Sequence, residues 1–468
     1  MPSSDADQYE SRARGRTTRS LSLWEAAEAT GGFVPDATAV SDYLHYPLLP
    51  ADPERSLLAG VRRIPGTAST YGRESGETGG HPSRRRTTGL TAVVDAIEHH
   101  VAASVRHAVK DRQRVAVLAT GGVDSSLVAA LVTSVTGTPP LLVSVRGGLC
   151  GAQETALQNR LSEFLKAETL RLDRIREFSL DSVLRLNRGS DFPRGGVFTH
   201  VWDQACEAAR EAGADVLLTG EGGDEIFAPG PALGRDLWRA GRPVHALMSL
   251  GRYRRTNGTG YVHGMWEQAG AHLLPTLIHP AGAQVSVAWR GRYAADHREA
   301  ARRRRRQLHR LRETGASFHE AVSTVWLDRV DLHAAQDSTG RLACMSPLAE
   351  CAELVHMLRQ VPPELVNPLR TGCQEKHLLR LVARRHLPAV ISEQRKVGLV
   401  NQISVLLRNL SVREQTDRLG PAARWLGVVL DENFHRPSAL PAENGLDWTR
   451  LLALCAWADN AIERGEPA

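Results

Sequence analysis

Lysine is scarce in this 468-residue chain: Lys110, Lys166, Lys376 and Lys396 are the only ones among 58 basic residues. Arginine supplies the rest, so each lysine is a compact ammonium standing where a guanidinium is the rule. The six cysteines (Cys150, Cys206, Cys344, Cys351, Cys373, Cys455) are scattered and include no C-x-x-C pair. That spacing argues against a zinc site and a disulfide scaffold, and it fits a reducing cytoplasm. No stretch reaches the ~18 uninterrupted apolar residues of a membrane span. The opening "MPSSDADQYESRARGRTTRS" lacks the apolar core of a signal peptide. A cytoplasmic protein without membrane contact is the expectation. The usual phosphate-binding motif, G-x-x-x-x-G-K-S/T, is missing as well.

With 42% hydrophobic and 24% charged residues, the composition is that of a globular protein long enough for two or three domains. A net charge of +6 over such a length permits anionic ligands but reads as a solvated surface. The run Arg302–Arg306 has no aromatic residue within it. It reads as a solvated helix face, and no nucleic-acid partner is expected. Were the substrate an acidic peptide, the run would become part of its docking surface.

Residues 1–20 read as a disordered tail. Residues 21–89 combine short apolar pieces broken by Gly and Pro, a small β-containing unit, with a Gly- and Ser-rich linker over 72–89. From residue 90 onward a larger domain begins. Val94, Ile97, Val101, Val105 and Ala108 share one helical face, and His99 and His100 fall off it as surface residues. Strands are expected at 114–119, 141–146, 168–173 and 215–219, with helices at 125–134, 153–167 and 202–213. Continuous apolar strands alternating with amphipathic helices imply an α/β fold: a parallel sheet with helices on both faces. Beyond about residue 235 the pattern becomes helical.

Ligands of open parallel sheets bind beyond the carboxyl ends of the strands. Two strand ends here carry unusual loops. The first, "TGGVDSS", runs from Thr120 to Ser126. Gly121 and Gly122 let backbone N–H groups converge on an anion, the next helix adds its positive end, and Thr120, Ser125 and Ser126 offer hydroxyls. Asp124 would repel a phosphate unless a divalent cation lay between them. The second, "TGEGGDEIF" from Thr219 to Phe227, repeats the chemistry and ends on Asp224. Two such loops in succession point to a metal-bound polyphosphate held by Asp124 and Asp224 together.

"LATGGVDSSLVAAL" resembles the pyrophosphatase loop of the asparagine synthetase family, S-G-G-x-D-S, with Thr120 in the serine position. "LLTGEGGDEIF" resembles that family's second signature. "QEKHLLRLVARRHLPAVISEQRKVGL" resembles its C-terminal segment, K-x-x-L-R followed by an R-x-K-like stretch. The resemblance covers about residues 90–400. It implies an adenine nucleotide α-hydrolase-like fold with a helical C-terminal part, preceded over 21–89 by a short remnant of a glutaminase-like domain. It also implies ATP cleaved between its α- and β-phosphates, a carboxylate activated as an acyl-adenylate, and amine attack giving an amide. Matched by position, Thr120, Gly121, Gly122, Asp124 and Ser125 would hold pyrophosphate. Asp124 and Asp224 would ligate Mg²⁺, Leu118, Val145, Thr219 and Gly220 would line the nucleoside, and Lys376 and Lys396 would act near the phosphates.

Three departures bear on the product. No cysteine precedes Cys150, so glutamine hydrolysis is not expected. "ACMSPLAE" places Ala343 and Met345 where the family carries Glu and Arg, and Glu350 where it carries Asp. "APG" replaces G-G-Y after the second loop. These point to the branch that takes its amine from the substrate itself, which includes lasso-peptide cyclases and β-lactam synthetases. The expected reaction is amide formation, as in macrolactam closure during antibiotic biosynthesis, on a small molecule or peptide bearing a carboxylate and an amine. A precursor-peptide or leader-processing protein would then be a partner. The competing expectations are an asparagine synthetase-type enzyme using ammonia and a degenerate nucleotide-binding partner protein.

Overall fold

The computed structural model describes residues 8–13, 16–20, 22–45, 54–64, 89–145, 152–172, 179–188, 190–194, 197–227, 237, 241–248, 289–291, 299, 302, 303, 306, 342–361, 365, 375–394, 412–430 and 442–464. At the N-terminus, β1 (Gln8–Ala13) pairs antiparallel with β2 (Arg16–Ser20). Helices α1 (Leu23–Glu28) and α2 (Ala37–His45) follow, and β3 (Val61–Ile64) pairs antiparallel with β1. The expectation of disorder over residues 1–20 is thus corrected for 8–13 and 16–20. Their polar sequence hid two strands, of which β1 pairs with both β2 and β3, the latter some fifty residues on in the chain.

The long helix α3 (Leu90–Val109) comes next and buries Val94, Ile97, Val101, Val105 and Ala108, the stripe the periodicity marked. Then strand and helix alternate: β4 (Val115–Leu118), α4 (Val123–Thr136), β5 (Leu141–Val145), α5 (Ala152–Leu165) and β6 (Thr169–Leu172). They continue with α6 (Leu180–Asn187), α7 (Val197–Glu211), β7 (Val216–Leu218) and the single-turn α8 (Gly223–Phe227). The C-terminal region contributes β8 (Trp289–Gly291), β9 (Ala343–Met345), α9 (Ala352–Gln360), α10 (His377–His386) and α11 (Ala389–Ser392). It ends with α12 (Val412–Leu426), β10 (Val428–Leu430) and α13 (Ala442–Arg464).

The central sheet has five parallel strands in the order β6-β5-β4-β7-β9. This is a doubly wound order, in which the direction of winding reverses beside the first strand. Strand side chains alternate between two apolar layers, as a period of two requires. Val115, Val117, Leu142, Val216 and Leu218 pack with α3, α4, α9 and α10. Ala116, Leu118, Val143, Val145 and Leu217 pack with Val201, Ala205 and Ala209 of α7. The fifth strand, β9, lies within the stretch expected to be helical. Three residues are too few for a strand signal, and β9 exists because β7 offers it an edge.

A third apolar cluster joins the two ends of the chain. Leu23, Trp24, Val40 and Leu58 pack with Leu419, Leu451, Leu454 and Trp457. The Trp24 and Trp457 rings lie 5.2 Å apart between centroids. Asp191 accepts hydrogen bonds from the Leu23 amide at 2.8 Å and the Ser22 hydroxyl at 3.2 Å. The N-terminal unit is too small to close a core of its own and completes it with α12 and α13. Packing therefore runs across the 89/90 boundary that composition suggested. Arg303 also crosses it, bonding Asp42 through Nη2 at 2.7 Å, which corrects the reading of that basic run as wholly solvated. Arg302 and Arg306 are exposed and pair with Glu299. Among the described residues, no helix is long and apolar enough to cross a membrane.

Candidate active site

Parallel pairing puts the C-terminal ends of β4, β5, β7 and β9 on one edge of the sheet, and the site forms there. Four consecutive buried apolar residues make β4 a central strand. The chain then turns through Gly121 at φ 83°, a left-handed conformation that glycine adopts without steric cost. Gly122 caps α4 without a side-chain hydrogen bond, so among the described residues the positive helix end is open to an anion. Thr120 and Ser125 brace the turn from within. Their hydroxyls are 3.1 Å apart, and the Thr120 amide donates to Ser125 Oγ at 3.3 Å.

The second loop lies directly on the first. A Cβ on Gly220 would stand 2.6 Å from the Ser125 nitrogen, and one on Gly223 would stand 2.3 Å from Asp124 Oδ1. Gly222, at φ 87°, faces the Ala349 backbone just as closely, at 2.7 Å. Any side chain at these three positions would push the loops apart. Thr219, buried after β7, contacts the Ser346 hydroxyl at 2.6 Å, and its amide donates to the Met345 carbonyl at 2.9 Å. The edge strand β9 thereby fixes the entry to the second loop.

Asp124 and Asp224 meet on one cation. Lys376 Nζ lies 2.5 Å from Asp124 Oδ2 and 2.9 Å from Asp224 Oδ1. The Lys376 side chain is only 5% exposed, yet burial does not neutralise it. Burial, which alone would lower its pKa, is outweighed by Asp124 and then Asp224, and the ammonium is held above its ordinary value. Lys376 itself adopts φ 58° and ψ 41° at the N-cap of α10, a left-handed backbone that costs a non-glycine residue ~1–3 kcal/mol. Arg380 holds the turn. Its Nε donates to the Glu375 carbonyl and its Nη1 to the Ser392 carbonyl, both at 2.7 Å.

Asp124 Oδ1 is buried and has no hydrogen-bond partner among the described residues. A buried carboxylate oxygen without a donor is costly unless a ligand completes it. Two converging carboxylates with one oxygen unfilled suit Mg²⁺, which binds through one or two carboxylates plus phosphate oxygens and water. The residues present therefore fit the metal. No group of three or more His, Cys, Asp or Glu able to hold a metal occurs among the described residues, and His99 and His100 form no such site.

Of the residues singled out in the sequence, the structure brings Thr120, Gly121, Gly122, Asp124, Ser125, Thr219, Gly220, Asp224 and Lys376 to one edge. Leu118 and Val145 end β4 and β5 on the face covered by α7, close to that edge. Lys396 lies outside the described residues. Ala343 and Met345 are half-buried and pack against the apolar layer on the opposite face of the sheet. Glu350 accepts a hydrogen bond from the Ser346 amide at 2.8 Å. The sequence reading assigned no role to Gly222, Gly223, Ser346 or Arg380. Their signals were in stretches already quoted, but only the contacts of the fold give them meaning.

The asparagine synthase family model matches residues 96–454. No curated protein matches the chain. Among solved structures, an NH3-dependent NAD synthetase from Campylobacter jejuni shows 12% identity over 30% of this chain and 60% of its own, with a TM-score of 0.20. The U34-tRNA thiolase NcsA from Methanococcus maripaludis shows 13% identity over 52% of this chain and 81% of its own, with a TM-score of 0.25. The family match covers both glycine loops, the edge strand and the Lys376 turn, and on that extent this chain belongs to the asparagine synthase family.

Proposed function

We propose that the protein is an ATP-dependent carbon–nitrogen ligase that activates a substrate carboxylate as its adenylate and releases pyrophosphate. The observation that carries this reading is the convergence of Asp124 and Asp224 on a single buried cation beside an open helix end. The amides at the start of α4, with Gly121 and Gly122, receive the pyrophosphate portion of ATP. Leu118 and Val145 flank the nucleoside, and Thr219 and Gly220 form its other wall. Asp124 and Asp224 would hold Mg²⁺, which when bound would screen the triphosphate's charge and favour departure of pyrophosphate.

A substrate carboxylate oxygen bonds to the α-phosphorus while the bond to the β-phosphate oxygen breaks. The Lys376 ammonium, fixed by its turn, stands where the leaving pyrophosphate gathers negative charge. An amine then attacks the acyl carbon, AMP leaves, and one proton passes to solvent as the amide forms. Lys396, by its place in the family pattern, assists the same step. Ala343 and Met345 standing in place of the family's Glu and Arg favour an amine carried by the substrate itself, and hence ring closure on a peptide or small molecule. The family itself keeps ammonia-dependent amidation of a free acid as the second reading.

Mass spectrometry of candidate peptides after incubation with ATP and Mg²⁺ separates these. Loss of one water per molecule, with one AMP formed, supports intramolecular amide formation. Exchange of a carboxylate for a carboxamide only when ammonium is added supports the second reading. Tight ATP binding without AMP from either substrate class would mean a nucleotide-binding protein rather than a ligase.

A further inference from the structure

Spacing along the chain gave no reason to pair any cysteines, yet the fold brings two of them together. Cys206, in the middle of α7, and Cys344, the central residue of β9, have sulfurs 3.1 Å apart although 138 residues separate them. Neither is in a disulfide. Strand alternation explains the meeting. Ala343 and Met345 face the helices on one side, so Cys344 must face α7 on the other. A disulfide needs about 2.0 Å between sulfurs, so only a small approach separates the thiol pair from a bond.

We propose that Cys206 and Cys344 form a reversible disulfide site that braces the edge strand β9 against α7. Several features favour this pair. Cys344 is half-buried and open to a small oxidant, whereas Cys206 is fully buried behind it. Arg194 interacts electrostatically with both sulfurs. The other described cysteines lack such a setting. Burial pushes the Cys455 thiol up to about 12 and raises that of Cys351.

The oxidant is a peroxide. The Cys344 sulfur attacks hydrogen peroxide, the O–O bond breaks, and Cys344 becomes a sulfenic acid as the first water leaves. The Cys206 sulfur displaces that hydroxyl, forming the S–S bond and releasing the second water. Two thiol hydrogens and two electrons pass to the peroxide, and a dithiol returns them. The consequence falls on β9, a three-residue strand that among the described residues pairs only with β7. Its exit holds Ser346 against Thr219 at the mouth of the second glycine loop.

The full chain, treated with increasing hydrogen peroxide and mapped by non-reducing peptide mass spectrometry, tests this. The expected result is a Cys206–Cys344 peptide pair at peroxide levels that leave Cys351 and Cys455 unmodified, reversed by dithiothreitol. Because the bond closes a long loop, the linked protein should melt about 5 °C higher. Amides of residues 343–346 should also exchange more slowly. Cys344→Ser, and separately Cys206→Ala, should match the reduced protein and gain nothing from peroxide. Over-oxidised Cys344 with Cys206 still open to alkylation after denaturation overturns the site. A linked protein that melts and exchanges like the reduced one overturns the brace.

Discussion

The two glycine-rich loops look alike in sequence and do different work. In the first, a Cβ on Gly122 would meet nothing nearer than the Thr120 hydroxyl at 3.4 Å, so this glycine leaves room for a ligand. In the second, Gly220, Gly222 and Gly223 are spacers that let the loop lie on Asp124, Ser125 and Ala349. Their acids differ too. Asp124 is 17% exposed and opens a 14-residue helix, whereas Asp224 is 45% exposed on a five-residue one. One loop builds the cradle, and the other delivers a second carboxylate to it.

The sharpest test of this division is the pair of acids. Asp124→Asn should lower AMP formation about 1,000-fold with an accepted substrate, since the less exposed of the two carboxylates proposed to hold Mg²⁺ is lost. Asp224→Asn, more exposed to water that can substitute for it, should lose about 100-fold. Equal and small effects would break the comparison.

Lys376→Met leaves two carboxylates facing each other around an empty centre. Removing one partner of a buried ion pair typically costs about 3–5 kcal/mol, and thermal denaturation should show it. Millimolar Mg²⁺ should restore more of the melting temperature in this variant than in the wild type. Equal response of the two proteins would mean the metal binds elsewhere.

Gly220→Ala forces a methyl against the Ser125 amide and should destabilise by about 2–3 kcal/mol in urea unfolding. Gly122→Ala should cost about 1 kcal/mol or less yet weaken ATP binding measured by calorimetry. If the two alanines cost the same stability, the loops do not divide the work as described.

The smallest effect concerns a carboxylate outside both loops. Burial raises Asp191 to about 6, against the opposing pull of its bonds to Leu23 and Ser22. The folded state therefore binds more protons than the unfolded chain between about pH 4 and 6, so this group adds stability as pH falls through that window. Asp191→Asn should flatten that slope, worth about 1–2 kcal/mol, in urea midpoints taken from pH 7 to 4. It leaves the loops untouched, so a loss of Mg²⁺ response in this variant would blur the contrast drawn above.

Much of the central fold was legible. Strands β4, β5, β6 and β7 and helices α3, α4, α5 and α7 fall where periodicity put them, because each is long or apolar enough to carry its own signal. The short elements were not. β1 and β2 are polar, β9 has three residues, and α6 is an eight-residue helix whose apolar face, Leu180, Val183 and Leu186, spans only two turns. Such segments take their structure from partners distant in the chain. The site divided the same way: Asp124 and Asp224 were marked by their loops, while Ser346 and Arg380 acquired roles only through contacts.

By itself the sequence determined the chemistry on offer: two glycine loops, each bearing an acid, at the ends of buried strands, and a rare lysine in a recognisable segment. Such local patterns are fixed by backbone geometry within a few residues. Only the tertiary structure decided that both acids share Lys376, that the second loop's glycines are spacers, that β9 completes the sheet, and that Cys206 meets Cys344. Those outcomes depend on which distant segments the packing of the sheet brings within a few ångströms, and no local pattern encodes that distance.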